Sequence, residues 1–233
     1  LSIAAANDAE VEISKPGGQM WLDLGSSNPN PTSGGIFKVT NTDIPVEGQH
    51  GLYLKGTALT NVYIFRGNVG FGVDGDDTTS ECNNFYIGSE GALASDAYLR
   101  IGKWVTDTGG ANIDLIDKEG GTVILEADVG AAAVKQRTSG GYFESRGTGA
   151  IVALTVSGGE ARLNSNGTIT TLTCEGGTTT TMHDDRTRTV TTLKMNPRNG
   201  DAEFIWNKAV VTLTNKITTD DDKVVFKART RGT

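Results

Sequence analysis

The sequence is poor in the residues that build helical bundles, metal centres and membrane spans. Its 233 residues include only three Trp, five Tyr and seven Phe, with three Met, five Pro, two His and two Cys. No apolar run approaches the ~20 residues that a membrane-spanning helix requires, so no membrane span is expected. Basic residues are not in excess either. The 21 Lys and Arg stand against 28 Asp and Glu, a formal net charge of −7, and this removes electrostatic capture of nucleic acid as a function. Cys82 and Cys174 lie 92 residues apart, a spacing that no metal site uses. They read as buried small hydrophobes unless the fold brings them together to pair. Leu1–Ala6 (LSIAAA) has no basic n-region and does not read as a signal peptide.

What the chain has instead is 31 Gly and 31 Thr, with 19 of the Thr after residue 150. Gly closes tight turns and β-branched Thr favours strands, so the composition points to an all-β protein of short strands. The length suits one large β domain or two small ones.

Three regions follow from the pattern. Residues 1–35 read as an extended N-terminal arm, because three of the five prolines and the glycine-rich stretch GSSNPNPTSGG fall there. Within the arm, Met20, Leu22 and Leu24 alternate with Trp21 and Asp23 as one short strand. Met20, Trp21, Leu22 and Leu24 are the candidate partner-binding residues. Residues 36–108 form a first β region of irregularly spaced strands, in which Ser89–Ala97 is the one plausible helical turn. Residues 109–233 repeat: glycine pairs at 120–121, 140–141, 158–159 and 176–177 are separated by 20, 18 and 18 residues. Each pair precedes a strand-like run, and a second break and a second strand follow it.

This period fits a β-solenoid with one coil per ~18–22 residues, and the alternative is an antiparallel β meander or sandwich with the same glycines as hairpin turns. Replacing Gly158 or Gly176 by Val is expected to destabilise the repeat, on the premise that those glycines hold positive φ. Strict alternation in Thr168–Cys174 places Thr168, Thr170, Leu172 and Cys174 on one face and Ile169, Thr171 and Thr173 on the other. Neither face is strongly apolar, so the expectation is a core shared between copies, in a homotrimer.

Little of the sequence suggests catalysis. His183 beside Asp184 and Asp185 reads as a solvated turn, and no nucleophile elbow is present. The best metal candidate is Asp74, Asp76, Asp77 and Glu81, four carboxylates within eight residues that offer the hard oxygen ligands Ca²⁺ takes. The spacing is not that of an EF-hand, and an acidic surface turn is the plainer reading. No other cofactor is suggested. Glu144, Asp201 and Glu203 lie near the few aromatic residues of the repeat half but are scattered, so a carbohydrate-binding or carbohydrate-cleaving solenoid, which needs an aromatic groove and paired carboxylates, is the alternative reading. Thr-x-Thr triplets in the second half offer a water-ordering array, but their register does not hold across repeats.

A proline- and glycine-rich arm, then Gly/Thr/Asn-rich β repeats with strands such as Gly51–Gly56 (GLYLKG) and Tyr98–Gly102 (YLRIG), resembles bacteriophage virion structural proteins of the capsid decoration, head-fibre and tail-fibre type. The resemblance implies a non-enzymatic homotrimer on the virion. Its arm would attach to a capsid or tail subunit by β-augmentation, and its repeats would project as a shaft or knob, in reach of a host-surface glycan. On this view, removing residues 1–35 abolishes attachment and leaves the body folded.

Overall fold

A computed structural model describes residues 10–15, 18–23, 36–42, 49–56, 59–73, 80–88, 97–105, 112–138, 140–181, 188–207, 211–218 and 224–229. Among them there is no helix, and hence none long and apolar enough to cross a membrane. The helical turn expected at Ser89–Ala97 lies, apart from Ala97, outside the described residues.

The chain opens with β1 (Glu10–Lys15), β2 (Met20–Asp23), β3 (Ile36–Thr42), β4 (Leu52–Lys55) and β5 (Leu59–Ile64). It continues through β6 (Gly67–Phe71), β7 (Cys82–Ile87), β8 (Ala97–Ile101), β9 (Asn112–Lys118) and β10 (Thr122–Leu125). Then come β11 (Gly130–Gln136), β12 (Tyr142–Ser145), β13 (Ile151–Val156), β14 (Glu160–Leu163) and β15 (Ile169–Cys174). The last are β16 (Gly177–Thr181), β17 (Arg188–Met195), β18 (Ala202–Asn207), β19 (Val211–Thr218) and β20 (Val224–Arg229). Odd-numbered strands form one ten-stranded sheet and even-numbered strands a second, each in chain order. Neighbouring strands pair in parallel, as β13 with β15 and β14 with β16. The molecule is therefore a β-solenoid in which every coil gives one strand to each sheet, and the antiparallel alternative is excluded.

The N-terminal segment differs from the expectation. β1 pairs with β3 and β2 with β4, so residues 10–15 and 20–23 are the first rung of the two sheets and not an arm apart from the body. Both sheets also run through the expected boundary near residue 108, since β9 pairs with β7 and β10 with β8.

The core lies between the sheets, and an irregular spacing builds it. In β15, Ile169, Leu172 and Cys174 are buried while Thr170, Thr171 and Thr173 face out. The same three-then-two spacing recurs at Leu59, Val62 and Ile64, at Cys82, Phe85 and Ile87, and at Val190, Leu193 and Met195. The paired register steps over Val152 and Thr170 in β13 and β15, as a bulge does. One extra outward residue brings Ile169 to the same side as Leu172. The weakly apolar face expected from strict alternation is thus an apolar one, and the even sheet supplies the opposing layer through Leu54, Phe71, Leu99 and Phe143. One chain encloses its own core, so the argument for a core shared between copies does not hold.

Corners close on glycine. Gly141, Gly159 and Gly177 have φ of 87°, 69° and 70°. They stack so that a Cβ on Gly159 or Gly177 would strike the carbonyl oxygen of the glycine one coil earlier. The second glycine of each pair has positive φ, and at 140–141 the first has it as well, with a φ of 82° at Gly140. Gly158 and Gly176, the first of their pairs, have φ outside that region, contrary to the expectation, but a Cβ would lie 2.5 Å from the Thr138 carbonyl oxygen at Gly158 and 2.8 Å from the Ser157 carbonyl oxygen at Gly176.

Candidate cleft on the even sheet

The outward face of the even sheet carries a cleft of about 440 Å³. Trp21 and Tyr53 are register partners on β2 and β4, so their rings stack at 5.0 Å with an interplanar angle of 5°. Two residues along, Asp23 and Lys55 are also partners, and Lys55 Nζ lies 3.2 Å from Asp23 Oδ2. The next position in the aromatic column is Gly70 of β6. A Cβ there would approach Val73 Cγ2 to 2.5 Å and His50 Cδ2 to 2.6 Å; with no side chain at Gly70, both residues settle over the sheet. Gly72, at a φ of 58° that L side chains rarely adopt, turns the chain out of β6. Gly70, Gly72, Val73 and Ser80 complete the wall.

Two polar groups mark this region. Ser80 is 0% exposed, and its Oγ has no hydrogen-bond partner among the described residues. His50 is buried edge-on against Tyr53 at 5.3 Å, with Nδ1 2.6 Å from Asn68 Oδ1. Burial, only partly offset by that hydrogen bond, holds its imidazole below the usual range.

The predicted site residues distribute unevenly around the cleft. Trp21 lines it and is 58% exposed. Leu22 also borders it but is 3% exposed and belongs to the core, and Met20 packs against that core. Leu24 lies outside the described residues. So do Asp74, Asp76 and Asp77, while Glu81 is buried with its backbone N–H donating to the Gly56 carbonyl at 2.9 Å. Among the described residues no group of three or more His, Cys, Asp or Glu side chains could hold a metal ion. His183 likewise lies outside them. Strand reasoning missed Tyr53, Lys55, Gly70 and Ser80. The alternation of Tyr53 and Lys55 within GLYLK was the available signal for two of them.

Further along the same face runs a ladder of ion pairs. Arg100 Nη2 lies 2.8 Å from Glu126 Oε2, and Arg146 reaches Glu126 at 3.1 Å and Glu144 at 2.9 Å. Tyr142 donates to Glu144 at 2.8 Å, and Asn164 donates to it as well. Burial pushes the Glu144 carboxyl up, but the hydrogen bonds from Arg146, Tyr142 and Asn164 outweigh it and hold the group below the usual carboxylate range. Tyr142 is pushed up to about 12 by burial and by its bond to Glu144. An acid held ionised in this way is poorly suited to donate a proton. Glu203 lies on β18, three strands from the β12 of Glu144. That is about 14 Å at ~4.8 Å per strand, beyond the ~5–9.5 Å of paired hydrolytic carboxylates.

The odd sheet carries the threonine-rich strands β15 and β17. Thr155 pairs with Thr173 and Thr171 with Thr192, but Ala153 and Lys194 interrupt these columns, so no regular threonine array forms. Cys82 and Cys174 are both free and buried. Burial pushes both thiols up, Cys174 to about 12, which leaves them unreactive near neutral pH. No family model, curated protein or solved structure matches the chain.

Proposed function

We propose that the chain is a non-enzymatic structural protein of the virion type, a spike, fibre or decoration subunit carried on the outside of the particle. The observation that supports this best is continuity: both sheets run in chain order from Glu10 to Arg229, the construction of a stiff rod. β1 and β2 are the terminal strands of their sheets, and a terminal strand offers the backbone edge on which a capsid or tail subunit adds a strand of its own. The attachment element is then an end of the rod, with backbone in the leading role and, among the described members of the predicted set, only Trp21 turned outward.

The same reading includes a homotrimer, with contacts between outer faces. On the odd sheet Ala133 pairs with Ala153, and the neighbouring Val152 is 46% exposed. This flat patch of small and apolar groups suits close packing of a second copy. The test is the mass of the full chain by size-exclusion chromatography with light scattering. A trimer that Val152→Lys converts to a folded monomer is the expected result, and a parent chain that is monomeric at all concentrations overturns the trimer.

A further inference from the structure

We propose that the cleft over β2, β4 and β6 is a binding site for a neutral pyranoside, one sugar unit docking on the Trp21–Tyr53 pair. Three independent features of the cleft select this class of ligand. The stacked rings of Trp21 and Tyr53 give one wall a large aromatic surface, and aromatic surface attracts the weakly polarised C–H groups of a sugar ring. Beside it, Asp23 and Lys55 supply acceptor and donor atoms but cancel in charge, which favours hydroxyl groups over an ionic ligand. At the far side stands the Ser80 hydroxyl, fully buried with its Oγ unpartnered among the described residues. A buried hydroxyl in that condition is costly unless something meets it, and a sugar hydroxyl is able both to donate and to accept there. The volume of about 440 Å³ lies within the ~300–1,000 Å³ of small-molecule sites. Gly70 keeps the site open, because the aromatic column stops where the next rung has no side chain. The proposal rests on the cleft alone and holds for a monomer as for a trimer.

The test uses the full chain labelled with ¹⁵N and follows the indole N–H signals of its three tryptophans. The probes are the methyl glycosides of glucose, galactose, mannose and N-acetylglucosamine, with methyl glucuronate as the charged comparator and adenosine as the flat aromatic one. The expected result is a saturable shift of the Trp21 signal with at least one neutral glycoside at millimolar concentration, with Trp104 and Trp206 unmoved. Calorimetry should then show that Trp21→Ala loses the binding, and that Ser80→Ala weakens it several-fold, as removal of one hydrogen bond does. Ser80→Ala removes a single oxygen and leaves the stacked pair intact, so it decides the matter if Trp21→Ala fails to fold. No saturable shift with any neutral glycoside overturns the proposal. So does a shift with adenosine or methyl glucuronate alone, or glycoside binding that Ser80→Ala leaves unchanged.

Discussion

Lys118 is the residue least consistent with its surroundings. It is 0% exposed, and it stands in an inward column between Ile87 on one coil and Gln136 on the next. Among the described residues its ammonium meets no carboxylate. Nζ donates to the Gly140 carbonyl at 2.5 Å, as Gln136 Nε2 donates to the Gly158 carbonyl at 2.5 Å one coil on. Burial lowers its pKa to about 7, against about 10.4 in an unfolded chain. Between those values the unfolded chain holds more protons, so this group makes stability rise with pH. The gain is complete above about pH 10.4 and is lost as pH falls toward 7. The limiting slope is about 1.4 kcal/mol per pH unit. Lys118→Gln, which copies the neutral bond of Gln136, is expected to be more stable than the parent at pH 7 and to remove this share of the slope. Urea unfolding at pH 7 and pH 9 measures both. A parent midpoint that changes with pH no differently from that of the variant would show that burial does not lower the pKa of this amine.

At the scale of the element, the corner glycines decide whether a coil can stack. Gly159 combines positive φ with a Cβ position blocked by the Gly141 carbonyl, whereas Gly200 has a φ of 109° with nothing within 4 Å of its Cβ position. Gly159→Ala should therefore lower the melting temperature more than Gly200→Ala. Strain at φ costs ~1 kcal/mol or more at either site, and backbone displacement adds to it only at Gly159. Equal shifts in calorimetry would mean that the corners do not approach closely. These glycine pairs were legible as turns, and their 18- and 20-residue spacing marked out the coils. Which glycine of the pair bends the chain was not, because both readings place a turn at the same point. The inward set was harder still. Period-two reasoning assigned Ile169 to the wrong face, since one residue stepped outward at Thr170 shifts the phase of everything before it. Lys118 and Gln136 escaped notice because they occupy the last inward position, which Ile, Val, Cys or Met fills in other coils. The cleft was half visible: Trp21 drew attention by type, but Ser80 comes from a segment distant in sequence, and only the coil stacking brings it near.

At the scale of the whole molecule, the register between adjacent coils is itself a measure of length. Ile151 pairs with Ile169 on one sheet and Glu160 with Thr178 on the other, both offsets of 18 residues. A copy of residues 151–168 inserted after Thr168 should therefore find both its partners already in phase. The expected product folds cooperatively, melts near the parent and is longer by one strand spacing, about 4.8 Å, as the maximum dimension from small-angle scattering would report. An insertion of nine residues would instead hand odd-sheet positions to the even sheet, and a broad or early melt is expected. Tolerance of the half-coil insertion would contradict the two-sheet arrangement. A chain built on this offset works as a gauge graduated in single coils. Its reach can change only by whole steps, so two versions of it could differ in how far they project while sharing every corner, every column and the same cleft.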